Sequence, residues 1–523
     1  MKLKNLKLYG YKNLKSETGQ FILNFENNTN VTVLIGNNGS GKSNILEAVS
    51  AIFKSLYLIS DYQQRVNFEF EISYDLPYGD DGRLQNIYIS FIRNRYIIRS
   101  SADGRINQDV LVNYLPSQVI ALYSGEELRL WKSYYEKFYL DYNNDVIAGR
   151  TYIENNQKML YINKYYWDIA LLTMIISDVQ VNDIIGDINL ASITLEIDNT
   201  NLNRFKEGSY NEVVSFVDNF YFDKDANRIP ESPTLTIVQE ELQDRFNSET
   251  HRRLFNLLCV AKLPKNKDNK LISGLELVFD NGLTTKDFSE GEKKKILLRL
   301  VLKILADNNS LILLDEPDSH IHVAHKKQIK DMLEESEIDA LLTTHSPTLM
   351  NVFGNNLVYL ENGQIKGSEK AEILKEISGD TMSDAQRQIL LNSNTDILIV
   401  EGKTDEKYIT TALEKLKTIE DRYNNLDFNF LYMGGSDSEN LKKLIEQFPP
   451  KGNQTIIAFF DNDGAGYGCI QKAFEYTSQK QDFTRSIENG IHICIYPKKD
   501  GFTKSDFEIE DYFKIDLALF LIP

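Results

Sequence analysis

Apolar and polar residues alternate through the first fifty positions, in LKLYGYKNL, QFILNF and VTVLIG, and the last run leads into a helical pattern beginning near Ser43. A period of two predicts strands with one buried face. Residues 65–125 continue in the same way through FEFEISYDL, IYISFI and YIIRSS. From about Glu126 to Arg253 the pattern becomes longer, helical and rich in aromatics, as in LRLWKSYYEKFYLDY. Alternation of strand and helix returns at LELVFDNGL and lasts to about Gln364, and a polar helical connector follows from Lys366 to Gln388. From Asp396 strand and helix alternate again, which predicts a second parallel sheet.

These patterns divide the chain into residues 1–125, the first part of an α/β domain; 126–255, a helical insertion suited to dimerisation; 256–365, the rest of that domain; 366–391, the connector; and 392–523, a second α/β domain. A length of 523 residues fits two or three domains. No apolar run approaches the roughly 20 residues of a membrane helix, and the N-terminus lacks a signal-peptide core. Three scattered cysteines offer neither a disulfide framework nor a zinc pattern. A cytoplasmic protein is expected. The net charge of −18 means that nucleic acid would have to be met by a local basic groove or through metal ions.

Gly36 to Ser43, GNNGSGKS, fits the phosphate-loop pattern between a strand and a helix. Asn38, Gly39 and Gly41 belong to the loop whose N–H groups cradle phosphate. Lys42 supplies positive charge to the β- and γ-phosphates of ATP, and the Ser43 hydroxyl ligates Mg2+. Downstream, SLILLDEPDSH is an apolar strand ending at Asp315 and Glu316. There Asp315 would hold magnesium through water, and Glu316 would polarise the attacking water. FSEGEKKKILLRL places Ser289 and Gly291 at the start of an amphipathic helix, and LLTTHSP ends another strand at His345. Read alone, Ser289 is a helix cap and His345 a polar strand end.

This ordered set resembles the ATP-binding-cassette ATPases of the RecF and SMC branch. The resemblance implies that Ser289 and Gly291 contact the γ-phosphate held by a second subunit, that His345 senses phosphate in its own subunit, and that Asp318 faces the dimer partner. Gly10 to Ser16, GYKNLKS, is similar to the branch's N-terminal signature near the nucleotide base. Gln118 is a candidate for the glutamine loop, left unassigned.

The second domain poses an electrostatic problem. DILIV ends at Glu401, with Asp405 four residues on, and TIIAFF ends at Asp461 and Asp463, whose spacing of two points both side chains one way. If the two strands are neighbours, four carboxylates converge and raise one another's pKa values. Hard divalent ions, Mg2+ or Mn2+, relieve that repulsion, and a two-metal site suits phosphodiester cleavage. Taken singly, Asp461 to Gly464 is also an Asx-turn and helix cap.

The block resembles the Toprim domain, with Gly434 and Gly435 as its glycine turn. An ATPase followed by a Toprim domain is similar to the OLD (overcoming lysogenisation defect) family, which includes the nuclease-ATPase of the Gabija anti-phage system. The resemblance implies metal ligation by Glu401, Asp405, Asp461 and Asp463, with Glu508 and Glu510 of FEIEDYF as further candidates. It also implies an assisting lysine, for which Lys504 is chosen over Lys498 and Lys499. The final run LALFLIP reads as a short last strand.

The expectation is an ATP-dependent DNA endonuclease with catalytic Glu316, His345, Glu401, Asp461 and Lys504. It would form a homodimer or higher oligomer through its ATPase domains, bind DNA without membrane contact, and serve in anti-phage defence with a possible partner protein or RNA. The alternative is a non-nucleolytic ATP-driven scaffold or repair ATPase whose Toprim domain only binds nucleic acid or a partner.

Overall fold

The computed structural model describes residues 1–15, 19–25, 30–78, 82–123, 129–154, 157–205, 211–221, 234–246, 249–264, 267–319, 321, 325–353, 357–367, 395–426, 428–432, 450, 454–474, 485–488 and 490–512. They fall in two compact units, Met1–Ser368 and Glu369–Pro523.

The first unit is organised by a seven-stranded sheet. Its spatial order is Gln364–Lys366, Leu357–Glu361, Val31–Ile35, Ala340–Thr344, Leu311–Asp315, Val119–Tyr123 and Met159–Ile162. All neighbours are parallel except the terminal hairpin 357–366. The strands at 311–315 and 340–344 are buried at every position, as expected where a parallel sheet is covered on both faces. An antiparallel sheet of six strands lies in the same unit, including Lys2–Tyr9, Glu69–Tyr78, Arg83–Ile92 and Arg95–Ser100. Their alternating burial matches the period-two pattern.

The segment expected to be a helical insertion is corrected on one point: it is not purely helical. Met159–Ile162 forms an edge of the central sheet beside Val119–Tyr123. Leu190–Ile197 lies between Thr234–Val238 and Ile272–Phe279 in a three-stranded antiparallel sheet. Apolar residues of its helices, such as Ile169, Leu172, Val217 and Phe255, are buried in one cluster with Leu297 and Val301, on the helical run that follows Ser289. The segment therefore shares the core of the first unit.

The second unit holds a five-stranded sheet in the order Phe428–Tyr432, Asp396–Val400, Ile456–Phe460, Ile491–Ile495 and Arg485–Glu488. The first four are parallel and the last antiparallel. The strands that lead to Glu401 and Asp461 are direct neighbours, as the electrostatic argument required. The connector beyond residue 367, Gly434 and Gly435, and the final LALFLIP lie outside the described residues.

Candidate nucleotide site and carboxylate cluster

The phosphate loop leaves the carboxyl end of Val31–Ile35 and enters the helix Lys42–Tyr57. Gly36, Gly39 and Gly41 have φ of 155°, 79° and 108°, conformations in which glycine avoids the strain of a side chain. Two neighbouring segments hold the loop. Ser40 O accepts the N–H of Gly363 at 2.8 Å, and Gly363 O accepts that of Lys15 at 3.0 Å. The fit is tight: a Cβ on Gly36 would lie 2.2 Å from Leu360 O, and one on Gly363 would lie 1.8 Å from Asn13 O. Asn13 Nδ2 donates to Gly39 O at 3.0 Å. The N-terminal signature residues thus brace the loop.

Lys42 is buried, and its Nζ donates to the carbonyls of Gly36 at 2.8 Å and Asn37 at 3.1 Å. Burial pulls its ammonium down to about 8, against the pull of Glu316 and Asp315. Ser43 Oγ donates to Asp315 Oδ1 at 3.2 Å, and Thr343 Oγ1 donates to the same oxygen. Burial raises the Asp315 carboxyl above the usual range. A hydroxyl and a carboxylate at the mouth of a phosphate loop form an oxygen donor set suited to magnesium.

Glu316 adopts φ +49° although it is not glycine, a conformation that strains a non-glycine residue. Its N–H meets Thr343 O at 3.2 Å and Thr343 Oγ1 at 3.1 Å, which holds the turn. Its Oε1 lies 2.9 Å from His345 Nε2. The hydrogen bond with His345 and partial burial oppose each other, and the carboxyl stays below its usual range. His345 Nδ1 is 3.4 Å from Lys42 Nζ. Lys42, Ser43, Asp315, Glu316 and His345 therefore form one contiguous network.

Ser289 is exposed and caps the helix Glu290–Leu300 in a reciprocal capping box with Glu292. The cap fixes the helix start while leaving its surface open. Asp318 does not face outward: it is buried, with Lys326 Nζ at 2.9 Å and Thr344 Oγ1 at 2.9 Å. This pairing keeps its side chain within its own subunit, and no sequence pattern pointed to the Lys326 partner. Gln118, the glutamine left unassigned, sits elsewhere. It precedes Val119–Tyr123 at the amino end of the parallel sheet, away from the end where Asp315 pairs with Tyr123. Its Nε2 donates to Gln157 O at 2.6 Å, and its Oε1 accepts from Arg252. It is a buried structural residue.

In the second unit Glu401 and Asp461 follow adjacent parallel strands, and Glu401 Oε1 accepts the Asp461 N–H at 3.0 Å. Gly402 caps the helix Lys403–Lys417, and the buried Asp405 accepts its N–H at 3.0 Å. Burial, then the charges of Glu401 and Asp405, push the Asp461 carboxyl up to about 7, with Glu510 adding to the effect. Burial and Glu401 also raise Asp405. Glu510 reaches this group because Asn462 and Phe507 form a β-bridge that brings the 507–510 segment to the sheet edge. Through it Ile509 N–H donates to Asp461 Oδ1 at 3.3 Å. Gly466 is crowded against the pair: a Cβ there would lie 2.4 Å from Asp461 O and 3.2 Å from Glu401 Oε1.

The acids do not all meet. The strand ends at Phe460, so alternation no longer keeps Asp461 and Asp463 together. Asp463 accepts the Gly466 N–H at 2.7 Å at the start of the helix Gly464–Phe474, and its charge acts on Glu508. Glu508 is exposed and raised by burial of its surroundings and by Glu510. Lys504 is exposed. Lys498 Nζ instead donates to the carbonyls of Lys504 at 3.1 Å and Ser505 at 2.8 Å, securing that loop. Among the described residues, no group of three or more His, Cys, Asp or Glu side chains is arranged to hold a metal ion. The carboxylates of Glu401, Asp405 and Asp463 are directed at backbone N–H groups. The oxygen-only donors and mutual repulsion suit a divalent cation, which these side chains would meet by rotating away from those amides.

The family model described as an AAA ATPase domain matches residues 1–350. A retron Vc95 probable ATPase from Vibrio cholerae is 24% identical over 408 residues, covering 69% of this chain and 74% of that protein. The DNA replication and repair protein RecF of Clostridioides difficile is 24% identical over 412 residues, covering 69% of this chain and 100% of that protein. A solved SMC head domain from Thermotoga maritima aligns at 13% identity with a TM-score of 0.31, covering 71% of this chain and 100% of that one. Among the described residues, no helix is long and apolar enough to cross a membrane.

Proposed function

Since the chain belongs to the AAA ATPase domain family, we propose that its ATP cycle governs a second activity, metal-dependent endonucleolytic cleavage of DNA by the C-terminal unit. In the ATPase unit, Lys42 neutralises phosphate and Ser43 and Asp315 would hold magnesium. Glu316 takes a proton from the attacking water, while His345 orients Glu316. The start of the helix Glu290–Leu300, with Ser289 exposed and Gly291 half-buried, is the surface offered to a second subunit's nucleotide.

The nuclease reading is carried by the Asp461 carboxyl, held at about 7 by burial and then by the charges of Glu401, Asp405 and Glu510, at the carboxyl edge of a parallel sheet. Such an edge is where open α/β sheets bind ligands, and strongly perturbed carboxylates are candidates for functional sites. Glu401, Asp405, Asp461 and Glu510 would hold the cations, with Asp463 and Glu508 on the flank. Bound divalent ions supply an activated water and a stabilised leaving oxygen. The residues themselves supply negative charge that neutral backbone donors balance only in part. An anti-phage setting is supported by the resemblance to the OLD family and by a relative named as a retron ATPase.

Incubation of the purified protein with plasmid DNA, Mg2+ or Mn2+, and with or without ATP tests the reading. Cutting that is lost on Asp461→Ala while ATP hydrolysis persists supports it. DNA left whole in every condition by an active ATPase overturns it. The outcome would then favour a non-nucleolytic scaffold, which the lack of a ready-made metal group among the described residues already speaks for.

A further inference from the structure

Charges on the open face of the six-stranded sheet stand in columns. Glu71 accepts from Lys7 Nζ at 3.4 Å, from the Tyr88 hydroxyl at 2.9 Å and from the Tyr9 hydroxyl. Asp75 pairs with Lys4 at 3.1 Å and accepts Asn86 Nδ2 at 2.9 Å. Glu69 takes the N–H of Arg93 at 2.7 Å. Each of these acids already has a donor nearby, and Glu71 and Asp75 each have a lysine. The outer column is basic. Arg95–Ser100 alternates exposed and buried residues, so Arg95, Ile97 and Arg99 share the open face. Arg105, exposed on the next strand, lies directly opposite Arg99.

Among the described residues, Arg95, Arg99 and Arg105 form no salt bridge. The acid in the intervening turn, Asp103, accepts instead from the hydroxyls of Tyr114 at 3.0 Å and Tyr78 at 3.5 Å. Like charges directly opposite across antiparallel strands are destabilising. In a chain of net charge −18, a cationic column maintained against that repulsion calls for a polyanion. Arg95 and Arg99 are four residues apart, about 13 Å along the strand. Over that distance one strand of duplex DNA advances about four nucleotides at 3.4 Å each.

We propose that Arg95, Arg99 and Arg105 form a docking surface for nucleic-acid backbone phosphates, on a sheet separate from the one that carries the phosphate loop. The choice of ligand rests on the DNA reading given under Proposed function. Contacts of this kind fix position on the backbone without reading sequence.

The test uses the full chain and a labelled 40-base-pair duplex, with anisotropy titrations between 50 and 200 mM salt. Arg95→Ala, Arg99→Ala and Arg105→Ala combined should weaken binding at least tenfold. The slope of log affinity against log salt should become shallower by about 2.7, from about 0.9 per phosphate contact. ATP hydrolysis without DNA should be unchanged. Replacing the same three arginines with lysine should keep most of the slope, and Arg150→Ala, at an exposed arginine paired with Asp145, should alter neither quantity. Wild-type binding with the affinity and slope unchanged in the triple alanine variant overturns this inference alone, leaving the column as a guard against edge-strand pairing. Wild-type protein that binds no DNA at any salt overturns the DNA reading itself. Binding through the arginines without cleavage leaves this inference standing and removes the nuclease.

Discussion

His345 Nε2 lies 2.9 Å from Glu316 Oε1. The other ring nitrogen of His345, Nδ1, faces Lys42 Nζ at 3.4 Å. An ammonium can only donate, so Nδ1 accepts and the ring proton sits on Nε2, where it binds the carboxylate. Glu316→Gln should therefore lower ATP hydrolysis by about 10²–10⁴-fold, the usual worth of a general base, while nucleotide still binds. His345→Ala should lower hydrolysis less. Phosphate release and binding of a fluorescent nucleotide measure the two effects separately.

Lys42 gives a pH signature. Its ammonium loses a proton near pH 8 in the nucleotide-free protein, so the charged form that pairs with phosphate dominates below that value and is lost above it. ATP affinity should be level below about pH 7.5 and fall as pH rises through 8. Calorimetry across this range should show the step in the wild type, and Lys42→Ala should bind weakly with the step absent. A flat wild-type profile would contradict the burial argument.

Asp461 gives the opposite kind of test. Its carboxyl is raised to about 7, so the folded unit holds a proton that the unfolded chain has already released. Stability therefore falls as pH climbs from the ordinary carboxylate range to about 7, and remains lowered above it. At pH 8 without divalent ions, Asp461→Asn should melt about 2–4 °C higher than wild type if it relieves about 1 kcal/mol of repulsion. Mg2+ or Mn2+ should raise the wild type and shrink the difference. Any cleavage should increase as pH passes 7.

Gly466→Ala separates the two units. The added methyl meets Asp461 O at 2.4 Å, a backbone atom that cannot rotate away, and overpacking of this kind costs about 1–3 kcal/mol. The C-terminal unit should lose stability and any nuclease activity, while basal ATP hydrolysis stays within about twofold.

Ser289→Ala removes a capping box, which by itself costs about 1 kcal/mol of helix stability. A purely structural role would show as a lower melting temperature with hydrolysis per folded molecule unchanged. A role against a second subunit's phosphate would show as hydrolysis that no longer rises with protein concentration.

The phosphate loop, Asp315, Glu316 and His345 were legible because their chemistry is bound to short patterns at strand ends. The strand Met159–Ile162 was not, since four apolar residues between helices carry no period, and Leu190–Ile197 was not, since its partners lie far along a helix-rich stretch. Gln118 stayed unassigned because only its residue type fitted, and its end of the strand does not. Asp463 was assigned beside Asp461 by an alternation that stops at Phe460. The position of Glu510 depends on the bridge between Asn462 and Phe507, a pairing that nothing local announces.

The hydrogen bonds of Gly363 to Ser40 and Lys15, with Leu360 closing over Gly36, brace the cradle through contacts made wholly within the protein. Association then carries little of the ordering penalty that a floppy loop would add. Discrimination among nucleotides is thereby left to groups that meet the base and the terminal phosphate.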